Sequence, residues 1–421
     1  MSELFRAPKG TYDVTAPFSE LWLAVKDALS RSSLLSGFDY IETPIFEDTA
    51  LFIRGVGEST DVVNKEMYTF EDRAGRSLSL RPEGTAGVLR AVLENRLDKG
   101  PLPAKVWYSG PNFRYEQPQS GRYRQHSQVG AEAIGSSDPA LDAQMIWMAQ
   151  YGPRELLGLK KVRVLVNSLG CFECRKPYRE NLKAYLTKIE LDEATRQRAE
   201  INPLRVLDDK RPDVQAQLVD VPLPAGHLCA ECQNHHEQVI HFLNLMEIDF
   251  ELAPKLVRGL DYYTRTTFEL VHDGLGSQSA IGGGGRYDGL LETLGGSDLP
   301  GIGFGLGVDR TCLAVQSEQV SVPRLMNRGC YLIPLTGAGK DVAVKLNVKI
   351  VNRGIVSEFA LDDRSVKAAM KGADRSGAKF AVLIGEDEVL RGEATVKDLD
   401  SGEQVSVALD LVPDYLATAL N

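Results

Sequence analysis

Leu21, Trp22, Val25, Ala28 and Leu29 recur at the three- and four-residue intervals of one helical face, behind Ser19 as a capping residue. The chain therefore opens with an amphipathic helix that ends near Gly37. Residues 38–44 alternate apolar and polar positions and close on Pro44, the pattern of a strand. Two further strands, at about 112–116 and 128–134, flank the polar segment 117–125. That segment is too short for a crossover helix, so the pair is antiparallel, with a long basic loop at its tip. Asp138 and Pro139 supply a cap and a first-turn proline for a helix whose Leu141, Met145, Met148 and Ala149 share a face. From about 167 to 250 the pattern turns charged and helical, which reads as an inserted subdomain; strand and glycine-rich material resumes at Leu256. Short apolar runs at 329–334 and 380–384 flank a helix, and 393–398 and 404–409 alternate as strands. These last elements predict a small α/β domain at 325–421 behind a larger domain at 1–324.

Composition adds bounds to this picture. The 421 residues are 43% hydrophobic and 25% charged, a globular balance that excludes disordered and collagenous chains. Six cysteines are too few for a disulfide scaffold. No apolar run reaches the roughly 18 residues of a membrane span, and the first residues lack a signal-peptide core, so a cytoplasmic protein without membrane contact is expected. The net charge of −10 argues by itself against a nucleic-acid partner. Placement of the charges reverses that. Arg364, Lys367, Lys371, Arg375 and Lys379 follow at three- and four-residue steps, opposite Val366, Ala369, Met370 and Ala373, and so predict one basic helical stripe suited to phosphate contact.

The glycine-rich segments do not form a phosphate loop. Leu306 interrupts the alternating glycines of 301–307, Tyr287 and Asp288 follow the run 282–285 where a dinucleotide fingerprint needs glycine, and Asp341 follows Gly339-Lys340. Close backbone packing is the plainer reading of these strand glycines. The arginines say more: Arg114 with Glu116, Arg122, Arg258 and Arg310 lie on strands or hairpin loops, and guanidinium groups grip phosphate and carboxylate in bidentate fashion. Several of them without a P-loop suit a nucleotide bent over an antiparallel sheet. Cys171, Cys174, Cys229 and Cys232 form two CxxC pairs able to hold zinc, the alternatives being a knuckle without metal or two inert pairs.

Phe113–Glu116 in the stretch Phe-Arg-Tyr-Glu resembles the second signature motif of class II aminoacyl-tRNA synthetases, residues 301–310 the third, and 37–47 the first, around Pro44. Residues 256–264 and 280–288 resemble the two histidine-specific motifs and 81–85 the family's amino-acid-binding segment, so the chain is similar to the histidyl-tRNA synthetase family over nearly its whole length. The resemblance implies an α+β fold, an antiparallel-sheet catalytic domain with an anticodon-binding domain behind it, and a homodimer. It implies that histidine reacts with ATP, assisted by Mg²⁺, to give histidyl-adenylate and that the histidyl group passes to tRNA. On the family pattern Arg258 and Arg114 are catalytic; Glu116, Arg122, His126 and Arg310 bind ATP. Glu83, Gly84, Thr85, Gln128, Glu132, Tyr262, Tyr263 and Tyr287 line the histidine pocket together with both catalytic arginines, and Gln119 and the basic stripe meet tRNA. Tyr262 and Tyr263, as neighbours, are expected to face opposite sides. Four positions depart from the pattern: His126 for a stacking Phe, Ser127 for a His, Gln117 for an Arg and Asp309 for a Glu. The competing reading is the synthetase-like regulatory subunit of ATP phosphoribosyltransferase, which binds histidine without charging tRNA.

Overall fold

Strands from widely separated parts of the chain assemble into one eight-stranded sheet in the computed structural model, which describes residues 4–58, 60–209, 211–322, 326, 328–362 and 365–420. Across the sheet the order is Asp39–Tyr40, Ala104–Phe113, Gln125–Ile134, Gly301–Gly307, Ala280–Arg286, Thr264–His272, Val162–Ser168, Glu251–Leu252. The pairings at the two edges are parallel and those between them antiparallel. The hairpin read at the second motif is present, with Ala104–Phe113 against Gln125–Ile134.

Alternation then sorts the side chains of these strands. Val129, Ala131 and Ala133 enter a core shared with helices Phe18–Leu35, Pro139–Tyr151 and Val308–Glu318. Gln128 and Glu132 point to the other face, where Val106 and Tyr108 join helix Thr85–Glu94 and the inserted helices in a second core. The sheet therefore carries its polar residues on the face opposite the larger apolar core. A separate three-stranded sheet is built from Phe46–Asp48, Ser77–Leu80 and Thr69–Glu71.

Several boundaries differ from the sequence pattern. The first helix starts at Phe18 behind Pro17, which makes no side-chain cap bond, so Ser19 lies inside the first turn. The strand expected at 38–44 shrinks to Asp39–Tyr40, because the chain leaves the edge to feed the small sheet. The strand expected at 112–116 ends at Phe113, leaving Arg114 and Glu116 in the loop. The inserted segment is not set apart either. Tyr178, Leu182, Leu186, Leu204 and Val214 do form a local core, but helix Ala230–Leu245 sends Val239 and Leu243 into the main core beneath the sheet. The helical pattern was legible; the surface these apolar side chains cover was not.

The chain divides into two compact units, Met1–Pro323 and Arg324–Asn421. In the second, strands Ser357–Phe359, Cys330–Pro334, Phe380–Ile384, Glu393–Asp398 and Gln404–Ala408 form one sheet in that order. Leu332 and Val382 face Leu346 and Ile350 of one helix, whereas Tyr331 and Ile333 face Ala369 and Ala373 of helix Val366–Ser376.

Candidate active site

A cleft of about 300 Å³ lies on the polar face of the large sheet and collects Arg114, Arg122, Arg258 and Arg310 from three separate segments, with Glu116, His126, Gln128, Glu269 and Asp309. Each arginine is aimed by a fixed partner. Arg114 Nε donates to the Pro82 carbonyl at 2.9 Å, and Arg310 donates to the Gly121 and Ala280 carbonyls, both at 2.7 Å. Arg122 lies 2.5 Å from Glu116, which also approaches Arg114 at 4.0 Å. Glu116 thus gathers two guanidinium groups at the turn just past the strand. Arg258 pairs with Glu269 of the strand Thr264–His272 while its Nε stays buried without a hydrogen-bond partner among the described residues. A buried donor left over in this way is costly unless something enters the cleft to accept from it.

Glycines make room for these side chains. A Cβ on Gly283 would meet the Arg258 guanidinium at 2.9 Å, and one on Gly285 would meet the Tyr263 ring at 2.9 Å. Both are close approaches, as the strand glycines suggested. His126 stands at the cleft wall, where burial and the cations Arg114 and Arg310 push its imidazole down to about 3, so it is neutral at ordinary pH. Asp309 accepts from Ser127 N at 2.7 Å and from the Tyr12 hydroxyl, fixing the strand beside His126.

Deeper in the same face is a closed acidic cluster. Glu132 is fully buried and accepts from Thr85 Oγ1 at 2.8 Å, Tyr287 OH at 2.7 Å and Tyr108 OH at 3.2 Å. Burial raises its carboxyl to about 8, with Glu83 adding to the rise and the three hydroxyls opposing it. Glu83 accepts from the amides of Thr85 and Ala86 at 2.7 and 2.9 Å, so it caps the first turn of helix Thr85–Glu94, behind Gly84. A side chain on Gly84 would overlap the Tyr108 ring. Gln128 accepts from Asn112 Nδ2 at 2.8 Å.

Tyr262 and Tyr263 lie ring against ring, 4.7 Å between centroids, and Tyr262 meets Tyr287 edge-on at 6.0 Å. The expectation that the two tyrosines face opposite sides fails because they precede the strand Thr264–His272, in a turn where alternation does not apply. Tyr108 and Glu269 did not stand out in the sequence. Tyr108 shares a face with Asn112 on its strand, and Glu269 is an acid between Phe268 and Leu270, two signals that periodicity alone offered. Also unforeseen is the fully buried pair of Arg286 and Asp142, 2.6 Å apart, which ties the sheet to helix Pro139–Tyr151.

The surface residues divide differently. Gln119 is exposed on the basic loop and bridges to Arg122. Lys367, Lys371 and Arg375 are exposed on helix Val366–Ser376, which Gly377 ends in the left-handed conformation. Lys379 therefore falls off the helix, donates to the Ala419 carbonyl at 2.8 Å and is not part of the stripe. Val366 is exposed rather than buried, and Arg364 lies outside the described residues. Cys171, Cys174, Cys229 and Cys232 converge, with all four sulfurs within 4.8 Å of one another.

Comparison with known proteins agrees in both units. The family described as Histidyl-tRNA synthetase matches residues 10–311, and that described as Anticodon binding domain matches 329–418. The Histidine–tRNA ligase of Rhodococcus erythropolis is 55% identical over 412 residues, 98% of this chain and 97% of that protein. The crystal structure of apo histidyl-tRNA synthetase from S. aureus superposes with a TM-score of 0.81 at 34% identity, covering 98% of this chain and all of that one. A Bacillus halodurans structure titled ATP phosphoribosyltransferase regulatory subunit/histidyl-tRNA synthetase shares the fold at 20% identity, with a TM-score of 0.65 over 91% of this chain and 99% of that one.

Proposed function

The chain belongs to the histidyl-tRNA synthetase family, and on that premise we propose that the arginine cleft and the acidic cluster beside it are the ATP and histidine sites of one active centre. The activity is that of a histidine–tRNA ligase, an ATP-using enzyme. The carboxylate of histidine attacks the α-phosphate of ATP and pyrophosphate leaves; the 3′-terminal ribose hydroxyl of tRNA then attacks the carbonyl of the adenylate, taking the histidyl group as AMP leaves and the hydroxyl proton is lost. Such a displacement asks the protein for positioning and charge neutralisation rather than covalent chemistry.

Arg258 and Arg114 would neutralise the reacting carboxylate and α-phosphate, with Arg122 and Arg310 on the outer phosphates. The observation that carries this is the convergence of four guanidiniums, one with a buried Nε left without a partner among the described residues, at the mouth of the Glu132 cluster. Glu132 and Tyr263 would bind the imidazole of histidine, with Tyr262 and Tyr287 shaping the pocket, and Glu83, Thr85 and Gln128 its ammonium. His126, neutral and in the cleft wall, would stack on adenine and Glu116 would face the base. Mg²⁺ would enter with ATP as a charge shield on its phosphates, and the hard carboxylate oxygens of Glu269 on the cleft wall suit it. Gln119 and the Lys367, Lys371 and Arg375 stripe would contact tRNA.

A homodimer in the cytoplasm completes this reading. Tyr40 and Phe46, each 52% exposed, and Ile45 and Phe70, each 44% exposed, lie along the first-motif edge and the small sheet, an apolar surface suited to a second copy. Among the described residues no helix is long and apolar enough to cross a membrane. The regulatory-subunit reading has less support, because that role needs no set of four cleft arginines. The test is histidine-dependent exchange of pyrophosphate into ATP, followed by aminoacylation on adding tRNA. Histidine binding with neither exchange nor aminoacylation would favour the regulatory paralogue; loss of both activities in Arg258→Ala is expected.

A further inference from the structure

We propose that Cys171, Cys174, Cys229 and Cys232 bind one zinc ion that clasps the two ends of the inserted segment. Cys171 precedes helix Phe172–Leu186 and Cys229 precedes helix Ala230–Leu245, so each CxxC pair occupies the start of a helix. Cys229 N donates to the Cys174 sulfur at 3.1 Å, a bond from one pair to the other. Amide donors to sulfur are what a thiolate cluster needs, since they spread its negative charge.

All four sulfurs lie within 4.8 Å of one another, and Cys171 and Cys174 are 3.5 Å apart. A tetrahedral zinc–thiolate site with bonds of about 2.3 Å requires sulfur separations of roughly 3.8 Å, so small side-chain movements close the shell. Two disulfides would explain closeness within pairs but not the mutual contact of all four. Cys174 and Cys232 are buried, whereas Cys229 is exposed, so the ion would sit at the surface with an entry path. Gly170 turns the chain into the first pair at φ +69°, and a Cβ there would strike the Cys174 Cβ at 2.7 Å.

The clasp reaches the active centre through one residue. Arg175, next to Cys174, donates to the Tyr263 carbonyl at 2.7 Å and reaches the Asp261 carbonyl at 3.5 Å, so the helix held by zinc buttresses the turn that carries Tyr262 and Tyr263. Zinc is therefore a positioning element, remote from the reacting atoms.

The test is metal analysis of the full-length protein purified in reductant without added zinc. About one zinc per chain is expected, and cobalt substitution should give the visible ligand-field bands of a tetrahedral tetrathiolate. In Cys171→Ser/Cys229→Ser, which spares both buried cysteines, zinc content should fall about tenfold or more while the protein stays folded by circular dichroism. Should that double variant not fold, stripping the unmodified protein with a chelator and refilling it with zinc provides the same readout, and thermal stability should fall and return. Protein free of stoichiometric zinc, unchanged melting after chelation, or four thiols missing from a denatured thiol count because they are paired as disulfides would each overturn the proposal. Metal content is independent of catalysis, so failure here leaves the active-site reading standing.

Discussion

Glu132 and Arg258 belong to one cleft yet are supported in opposite ways. Glu132 is sealed from water and held by three neutral hydroxyls, which leaves its carboxyl raised to about 8. Arg258 keeps its charge against a carboxylate, Glu269, and retains a buried Nε that has no hydrogen-bond partner among the described residues. On the proposed reading the first environment would recognise a small polar ligand by leaving any wrong one with unmatched buried partners, and the second would offer positive charge to an anion arriving from solvent. Selectivity and charge neutralisation would thus be assigned to adjoining compartments, one lined by hydroxyls and one by charges.

Substitutions can break this contrast at either end. The largest effect is expected for Arg258→Ala, which should lower histidine-dependent pyrophosphate exchange by about 1,000-fold with little change in stability, because the charge serves a state reached only with substrates bound. Glu132→Gln should cost about 100-fold in kcat/KM for histidine and much less in KM for ATP, a split read by varying each substrate in turn.

That same variant sharpens the comparison through pH. A carboxyl held up to about 8 in the folded state, against an ordinary 4.5, adds stability that is complete below 4.5 and is lost as pH rises through about 8. Melting temperature of the unliganded protein should fall across that window, and Glu132→Gln should flatten the fall. Arg122→Ala should raise KM for ATP about tenfold and spare histidine affinity, since its partner Glu116 belongs to the charged compartment. The smallest effect lies outside the cleft. Replacing Lys367, Lys371 and Arg375 by alanine should leave exchange untouched, raise KM for tRNA several-fold and reduce the salt slope of tRNA binding by about three.

Much of this molecule was legible as pattern. The hairpin around the basic loop, the Asp138 cap, which accepts from Ala140 N, and the alternation that sends Gln128 and Glu132 to one face follow from spacing alone, because local geometry is periodic and short in range. Where the pattern misled, tertiary context had overridden it. Tyr262 and Tyr263 sit in a turn, Lys379 lies beyond a left-handed Gly377, and the helix Ala230–Leu245 packs under the sheet that its own charged neighbourhood gave no hint of.

The sequence by itself determined the family of chemistry: arginines without a phosphate loop, two CxxC pairs, a basic helix and the motifs that carry the resemblance. Only the tertiary structure decided which groups meet. It brought Arg114, Arg258 and Arg310 to one cleft from segments almost 200 residues apart, assigned Glu269 to Arg258 and Tyr108 to Glu132, and drew four sulfurs together. The physical reason is that periodicity reports which face a residue takes, whereas partners across a face depend on strand order and on burial, which raise a carboxyl or strand a guanidinium only once water has been excluded.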